Sequence, residues 1–491
     1  MALAVVDTEG RGLPTRVAIA REDGHPVVNP YGPTYTDIQN GGAYFYIDGS
    51  LSLDLPPGRY SVKAAQGLFS EVAETEFRVQ SGKTRKVSMA LNFVWNAKVA
   101  GYVSLDHHVH LNASGAHDLA LADLLPLMAG EDIDHAAPMA WNQYNRFVDA
   151  DSVGQVAEDK AGRVAVLSQE VRSHFHGHVG LIGAKEAYAP WFFGPTDPVF
   201  GTRDRTNGDA VAFANERGLL PTYVHPVVDH GDPFDDLDAN APPYELVLDG
   251  ILTPGVGIEL VCMWTSPLGT AEVWYRFLNI GTPMPATSGT DMMANFYRTP
   301  AIGTARSYVP ADDGRASFAE GIDKVRRGEG FLSTGPAVLF DIGGAVPGGI
   351  VQTGAQDFTL SVASVQPVST VEIIVNGEVV ETLDGVMAGQ TRVYEGSVDL
   401  PAGGWIAARA HGGEPAWPSM AGTRFAHTAP VWIGEIGSTD EAIAKSAATE
   451  LLSLLSFSSE KFLAAYDEAE IPKLMQRITQ AESVLEAIIA K

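Results

Sequence analysis

Short runs in which apolar and polar positions alternate open the chain: Arg16–Ala20, Ala43–Asp48, Tyr60–Ala64, Thr75–Val79 and Lys86–Leu91. Turn residues such as Pro56-Pro-Gly-Arg59 and Ser81-Gly-Lys83 separate them. A period of two with such punctuation predicts strands that bury one face, so residues 1–98 are expected to form an antiparallel, sandwich-like β-module. From about Val99 to Thr334, β-type runs alternate with stretches of helical spacing, the pattern of an α/β domain over residues 99–335. Val99–Leu105 reads as a strand, as do Val164–Leu167, Leu219–Val224 and Gly257–Met263. Leu119, Leu121, Leu124, Leu125, Leu127 and Met128 mark one face of a helix starting near Ser114, and Ala210–Leu219 reads as a helix closed by Gly218. Residues 336–436 return to strand character in Phe358–Val362, Thr370–Gly377 and Trp405–Ala410, with Asn376-Gly377 as a hairpin turn, which predicts a second β-sandwich. In the tail, 437–491, Leu451, Leu454, Leu455, Phe462, Leu474, Ile478 and Leu485 fall at helical spacing, and Pro472 divides them into a helical hairpin.

A chain of 491 residues exceeds one compact core, and roughly three or four domains are expected. The net charge of −27 argues against nucleic acid and anionic membrane surfaces. No apolar run reaches about eighteen residues, so no membrane-spanning helix is expected. The partner fitting this surface is a small neutral or cationic molecule. The apolar stripes of the tail call for a cover, either a neighbouring domain or a second copy of the chain in a homo-oligomer. Met1-Ala-Leu-Ala-Val-Val runs into Asp7-Thr-Glu-Gly without a basic region or a long apolar core, which predicts a cytoplasmic location; the N-terminal module also fits an exported protein whose native start differs. Cys262 is the sole cysteine, so no internal disulfide or thiolate zinc site is expected, and it reads as a core residue.

Ten of the thirteen histidines fall between His107 and His230. On a strand, His108 and His110 project from one face and can reach the same ion. Asp106-x-His108-x-His110, Gln169-Glu170-x-Arg172, Gly177-His178, His225-Pro226 and Ser288-Gly-Thr-Asp291 together resemble the PHP (polymerase and histidinol phosphatase) metallohydrolase superfamily, and most of all its carbaryl hydrolase-like branch. The resemblance covers roughly Val99 to Thr334. It implies a multidomain α/β plus β chain, with a distorted (β/α)7 barrel flanked by β-sandwich modules. It further implies that His108 and His110 bind one divalent ion, Glu170 bridges two, His178 and His225 bind the second, and Asp291 completes the first.

Imidazoles with carboxylates suit Zn, with Mn or Fe as alternatives. A carboxylate bridging two ions roughly 3.5–4 Å apart leaves a shared water that loses a proton near neutral pH, so the expected nucleophile is a metal-bridging hydroxide. Two family positions depart from the pattern: Met293 stands where many members have histidine, and Met139-Ala-Trp141-Asn142 replaces a Thr-Asp-His triplet. Both changes favour two ions over three, and hence a neutral ester, carbamate or amide as substrate. A PHP-type phosphoesterase and a non-catalytic binding protein are the alternatives. His117 is a candidate third-site ligand or proton donor. Arg172 and Arg306 are candidates for contact with a substrate oxygen, or equally for orienting salt bridges. Trp264, Trp274, Tyr275 and Phe296 are candidate pocket walls or core residues. His174 and His176 are expected outside the ligand set, and Asp132, Asp134 and His135 are expected to be structural.

Overall fold

The computed structural model describes residues 1–113, 117–143, 146–196 and 203–491, and the expected helix start near Ser114 lies outside them. The chain is a mixed α/β protein with several sheets and a C-terminal helical pair. Near the N-terminus seven strands follow one another in a single sheet, from Ala73–Val79 at one edge to Lys86–Ala90 at the other. Leu3, Val17, Phe45, Val62, Phe77 and Val87 form its core. The pairing is antiparallel except between Ala2–Val6 and Lys86–Ala90, which run parallel, so the module is not antiparallel throughout.

The central unit is built around β1, Tyr102–His110. It pairs in parallel with β2, His135–Ala140, and antiparallel with Arg306–Pro310. Strand β2 runs parallel to β3, Ser168–Val171. Only Arg172–His178 separates β3 from β4, Val179–Ile182, too short for a crossover helix, so β4 returns antiparallel to β3. Strand β5, Leu220–Tyr223, is antiparallel to β4 and parallel to β6, Gly257–Val261, and β6 is parallel to β7, Ala286–Ser288. Helices α1 (Asn207–Glu216), α2 (Leu246–Leu252) and α3 (Pro267–Asn279) connect the later strands. The helix expected over Leu119–Met128 is broken into a 3₁₀ turn, Leu121–Leu124, and a short helix, Leu125–Gly130. Pro126 has no N–H to donate to the carbonyl of Ala122, so a continuous helix cannot pass through it.

Beyond the central unit, Ala337–Ile342, Gly354–Ser364 and Gln390–Leu400 form one sheet. It shares a core of Val338, Phe340, Leu360, Val371, Ile373 and Ile406 with the sheet containing Val368–Val375 and Gly404–His411, as a sandwich requires. That second sheet does not stop at residue 335. Its strand Phe425–Thr428 pairs with Phe331–Ser333 of the central unit, so the hydrogen-bonded ladder crosses the boundary. Helices α4 (Glu441–Ala465) and α5 (Pro472–Ile489) follow, with Pro472 in the first turn of α5. Their apolar stripe, including Leu451, Leu454, Phe462, Leu474 and Ile478, is buried with Leu246, Val247 and Phe277 of α2 and α3. A neighbouring layer of the same chain therefore covers it. Among the described residues no helix is long and apolar enough to cross a membrane.

Candidate metal centre

Alternation along β1 turns His108 and His110 to one face, where both are buried. Their ring orientation follows from what the Nδ1 atoms touch. His108 Nδ1 lies 3.0 Å from Glu259 Oε1, and His110 Nδ1 lies 3.0 Å from the carbonyl of Met139, which can only accept. Both contacts turn Nε2 into the site, the usual way a metal-binding imidazole is fixed. Asp291 Oδ1 stands 3.4 Å from His108 Nε2 and 3.1 Å from His110 Nε2. At the end of β3, Glu170 Oε1 is 2.8 Å from His178 Nδ1 and 3.6 Å from His225 Nε2, while its Oε2 is 3.6 Å from His110 Nε2. The structure thus brings together all six residues expected to hold metal.

Backbone geometry at the strand ends is unusual where these side chains are aimed. His225 and Asp291 both have positive φ, 36° and 51°, a conformation that costs non-glycine residues of order 1 kcal/mol or more and clusters at functional sites. Gly289 passes so close to β1 that a Cβ there would meet the Cβ of His108 at 2.1 Å, so only glycine lets the Asp291 loop cross it. Asp106 does not join the cluster. Its carboxylate accepts from the Thr290 N–H and hydroxyl and from the Gly303 N–H, pinning that loop to β1. Burial raises the Asp106 carboxyl to about 6 against those hydrogen bonds.

Burial alone would favour the neutral forms of His108, Glu170, His178, His225 and Asp291, but the opposite charges outweigh it at several. The Asp291 carboxyl is brought down to about 2 by His108 and His110, and Glu170 is held well below its ordinary value by Arg172 and His178. His108 rises to about 10 beside Asp291 and Glu259 despite its burial. At His178 burial prevails over Glu170 and lowers the imidazole to about 4. Among the described residues, two deeply buried atoms, His108 Nε2 and Asp291 Oδ1, meet no hydrogen-bond partner of good geometry. The ligand atoms of His108, Glu170 and His225 lie within 4.8 Å of one another, as do those of His108, Cys262 and Asp291. Orphaned donor atoms, imidazoles and carboxylates at this spacing fit a divalent cation.

Around the cluster, the Arg172 guanidinium lies 4.3 Å over the Trp141 ring and 3.7 Å from Glu170 Oε2, and Trp141 meets His110 edge to face at 4.8 Å. A cavity of about 330 Å³ opens beside His174, His178, His225, Pro226 and Tyr244. Trp264 is half exposed, two residues beyond Cys262, and Phe296 is also exposed. Trp274 and Tyr275 are not pocket walls. Both are buried on α3, with Trp274 Nε1 donating to the Met284 carbonyl and the Tyr275 hydroxyl 2.6 Å from His427 Nε2. Nor is Arg306 offered to a substrate: it is buried, donating to the carbonyls of Gly303 and Glu131.

His117 stacks on Tyr297 at 5.5 Å, with its Nδ1 3.4 Å from the Tyr297 hydroxyl, and among the described residues no contact joins it to the six-residue cluster. His174 touches the site through His178, at 3.0 Å, whereas His176 is fully buried between Glu245 and the Tyr466 hydroxyl. Asp134 and Lys98 pair near the opposite end of β1, with Asp134 accepting from Ser104, and the His135 Nε2–H donates to the Ala316 carbonyl, in line with structural roles. Sequence reasoning missed Glu259, which joins His108 Nδ1 to the His225 N–H at 3.0 and 2.7 Å. A single carboxylate inside the apolar run Gly257–Met263 was its signal. Compared with protein-family models and with curated proteins, the chain finds no match.

Proposed function

We propose that this chain is a metal-dependent hydrolase of the PHP type, with its centre at the strand ends of a PHP-like barrel and a small neutral ester, carbamate or amide as substrate. The observation that carries the reading is the convergence of His108, His110, Glu170, His178, His225 and Asp291 from five separate segments onto one buried cluster. When bound there, two divalent ions, zinc by preference, supply the Lewis acidity that makes water a nucleophile near neutral pH and polarises an acyl oxygen.

The chain's own residues do the rest. His108, His110 and Asp291 form one donor group; His178 and His225 form another, and Glu170 lies between the two. Glu259 and the Met139 carbonyl hold the imidazoles in the tautomer that points Nε2 inward. Arg172, braced on Trp141, balances the charge of Glu170. The cluster needs no protein nucleophile, and with no ion bound, burial and the charges of Glu259 and Asp291 push the Cys262 thiol well above its ordinary value.

Substrate charge follows from the surroundings. Glu170, Asp291 and Glu259 are packed into the site of a chain whose net charge is −27, a field that opposes a dianion. Comparing kcat/KM for 1-naphthyl N-methylcarbamate and 1-naphthyl phosphate at equal metal loading tests this. The carbamate is expected to lead by at least about a hundredfold, roughly 2.7 kcal/mol of transition-state discrimination. A preference for the phosphate would make the chain a phosphoesterase instead.

A further inference from the structure

We propose that Cys262 is a ligand of the ion held by His108, His110 and Asp291, a sulfur donor that makes this position favour zinc or cobalt over manganese; the proposal rests on the metal-centre reading above. Cys262 directly follows β6 and is 5% exposed. Burial is ordinary for a free cysteine, but its surroundings are not. Two carboxylates, Glu259 and Asp291, lie close enough for their charges to act on its thiol. Its sulfur and the ligand atoms of His108 and Asp291 lie within 4.8 Å of one another.

Two further atoms point to the same spot. His108 Nε2 and Asp291 Oδ1 face each other at 3.4 Å on side chains 0% and 9% exposed, and among the described residues neither meets a hydrogen-bond partner of good geometry. Around a tetrahedral zinc, with bonds of about 2.0 Å to nitrogen or oxygen and about 2.3 Å to sulfur, neighbouring ligand atoms sit about 3.5 Å apart. A side-chain adjustment of roughly 1 Å takes the observed spacing to that value. Two imidazoles, a carboxylate and a thiolate complete four donors of the kind zinc accepts. Binding removes the thiol proton to solvent and forms the metal–sulfur bond, with no change in oxidation state.

Manganese and magnesium prefer oxygen ligands, so the sulfur discriminates against them. Cobalt(II) reports the ligand directly when added to the full-length protein under anaerobic conditions. The expected spectrum has visible ligand-field bands from the occupied site and a near-ultraviolet thiolate-to-cobalt charge-transfer band. In Cys262→Ser the ligand-field bands should remain, the charge-transfer band should vanish, and zinc affinity by chelator competition should fall at least about tenfold while manganese affinity is unchanged. Wild-type ligand-field bands without the charge-transfer band would overturn the role of Cys262 and leave the metal centre standing. No ligand-field bands at all would overturn both.

Discussion

Glu259 shows how much of the site rests on single atoms. One carboxylate oxygen takes the His108 ring and the other takes the His225 N–H, so one side chain orients two donors from different strands. Glu259→Gln preserves the shape but turns an NH2 group toward one of these donors, so one hydrogen bond must break. The expected outcome is a zinc affinity lower by about ten to a hundredfold with little change in the unfolding temperature, read by chelator competition and thermal melts side by side. Unchanged affinity would mean that Glu259 does not position the ligands. The histidines were legible in the sequence because metal chemistry demands a rare residue type at strand spacing. Glu259 was not, because an acid inside an apolar strand looks the same whether it serves a ligand or faces solvent. Cys262 is buried, as its core reading expects, but its closeness to His108 and Asp291 was not legible, because sequence does not show which side chains a buried thiol faces.

At the level of elements, the helical pair at the C-terminus reaches, through charges, the side of the central unit that carries the histidine–carboxylate cluster. Arg477 of α5 pairs with Glu245 and Asp249, both fully buried, and Glu245 also accepts from His176 and from the N–H groups of Asn207 and Gly208. Tyr466, just after α4, meets the other nitrogen of His176, two residues before His178 of the cluster. Arg477→Met removes the cation and leaves two buried carboxylates against each other. A loss of about 3 kcal/mol is expected in urea unfolding, because a buried charge stripped of its partner is among the costliest changes. A change below about 1 kcal/mol would show that the carboxylates are already satisfied without it. The pair of helices was readable from apolar spacing and Pro472. Their ion pairs across the domain were not, since nothing local in 470–480 says where Glu245 lies. The antiparallel β3–β4 return was not legible either, because an alternation of strand and helix patterns carries no mark of strand direction.

Across the whole molecule, the units are interlocked rather than strung together. The N-terminal module holds the loop after Asp291 through the Thr36 N–H to the Tyr297 carbonyl, and through the Tyr35 and Tyr44 hydroxyls to the carbonyls of Ala294 and Thr299. Arg16 of that module is buried beside Glu131 of the central unit and stacks over Trp417 of the C-terminal sandwich. The composition changes near residues 98 and 335 marked the units, but long-range pairing across them leaves no trace in local pattern. His427, on the strand that joins the central and C-terminal sheets, gives this junction a pH dependence. Its Nδ1–H donates to the Thr428 carbonyl, and its Nε2 lies 2.6 Å from the Tyr275 hydroxyl, from which the neutral ring accepts. Burial lowers its value to about 3. The unfolded chain therefore takes the proton first, and the stability from this group is complete above about pH 6.5 and lost as pH falls toward 3. His427→Gln keeps an acceptor for Tyr275 and abolishes the titration, so its stability should fall less steeply with acid, by up to about 1.4 kcal/mol per pH unit between pH 6 and 4. Parallel acid limbs for the two proteins would refute the assignment.

The central claim is that six side chains gathered from five segments hold catalytic metal. Elemental analysis of the purified full-length protein, before and after chelation, with His110→Ala treated identically and 1-naphthyl N-methylcarbamate hydrolysis followed on each sample, tests it most directly. The account predicts about two divalent ions per chain, activity lost on chelation and restored by zinc, and in His110→Ala loss of metal and turnover together. Hydrolysis that survives removal of all metal, or a His110→Ala protein with full metal and normal turnover, would contradict it.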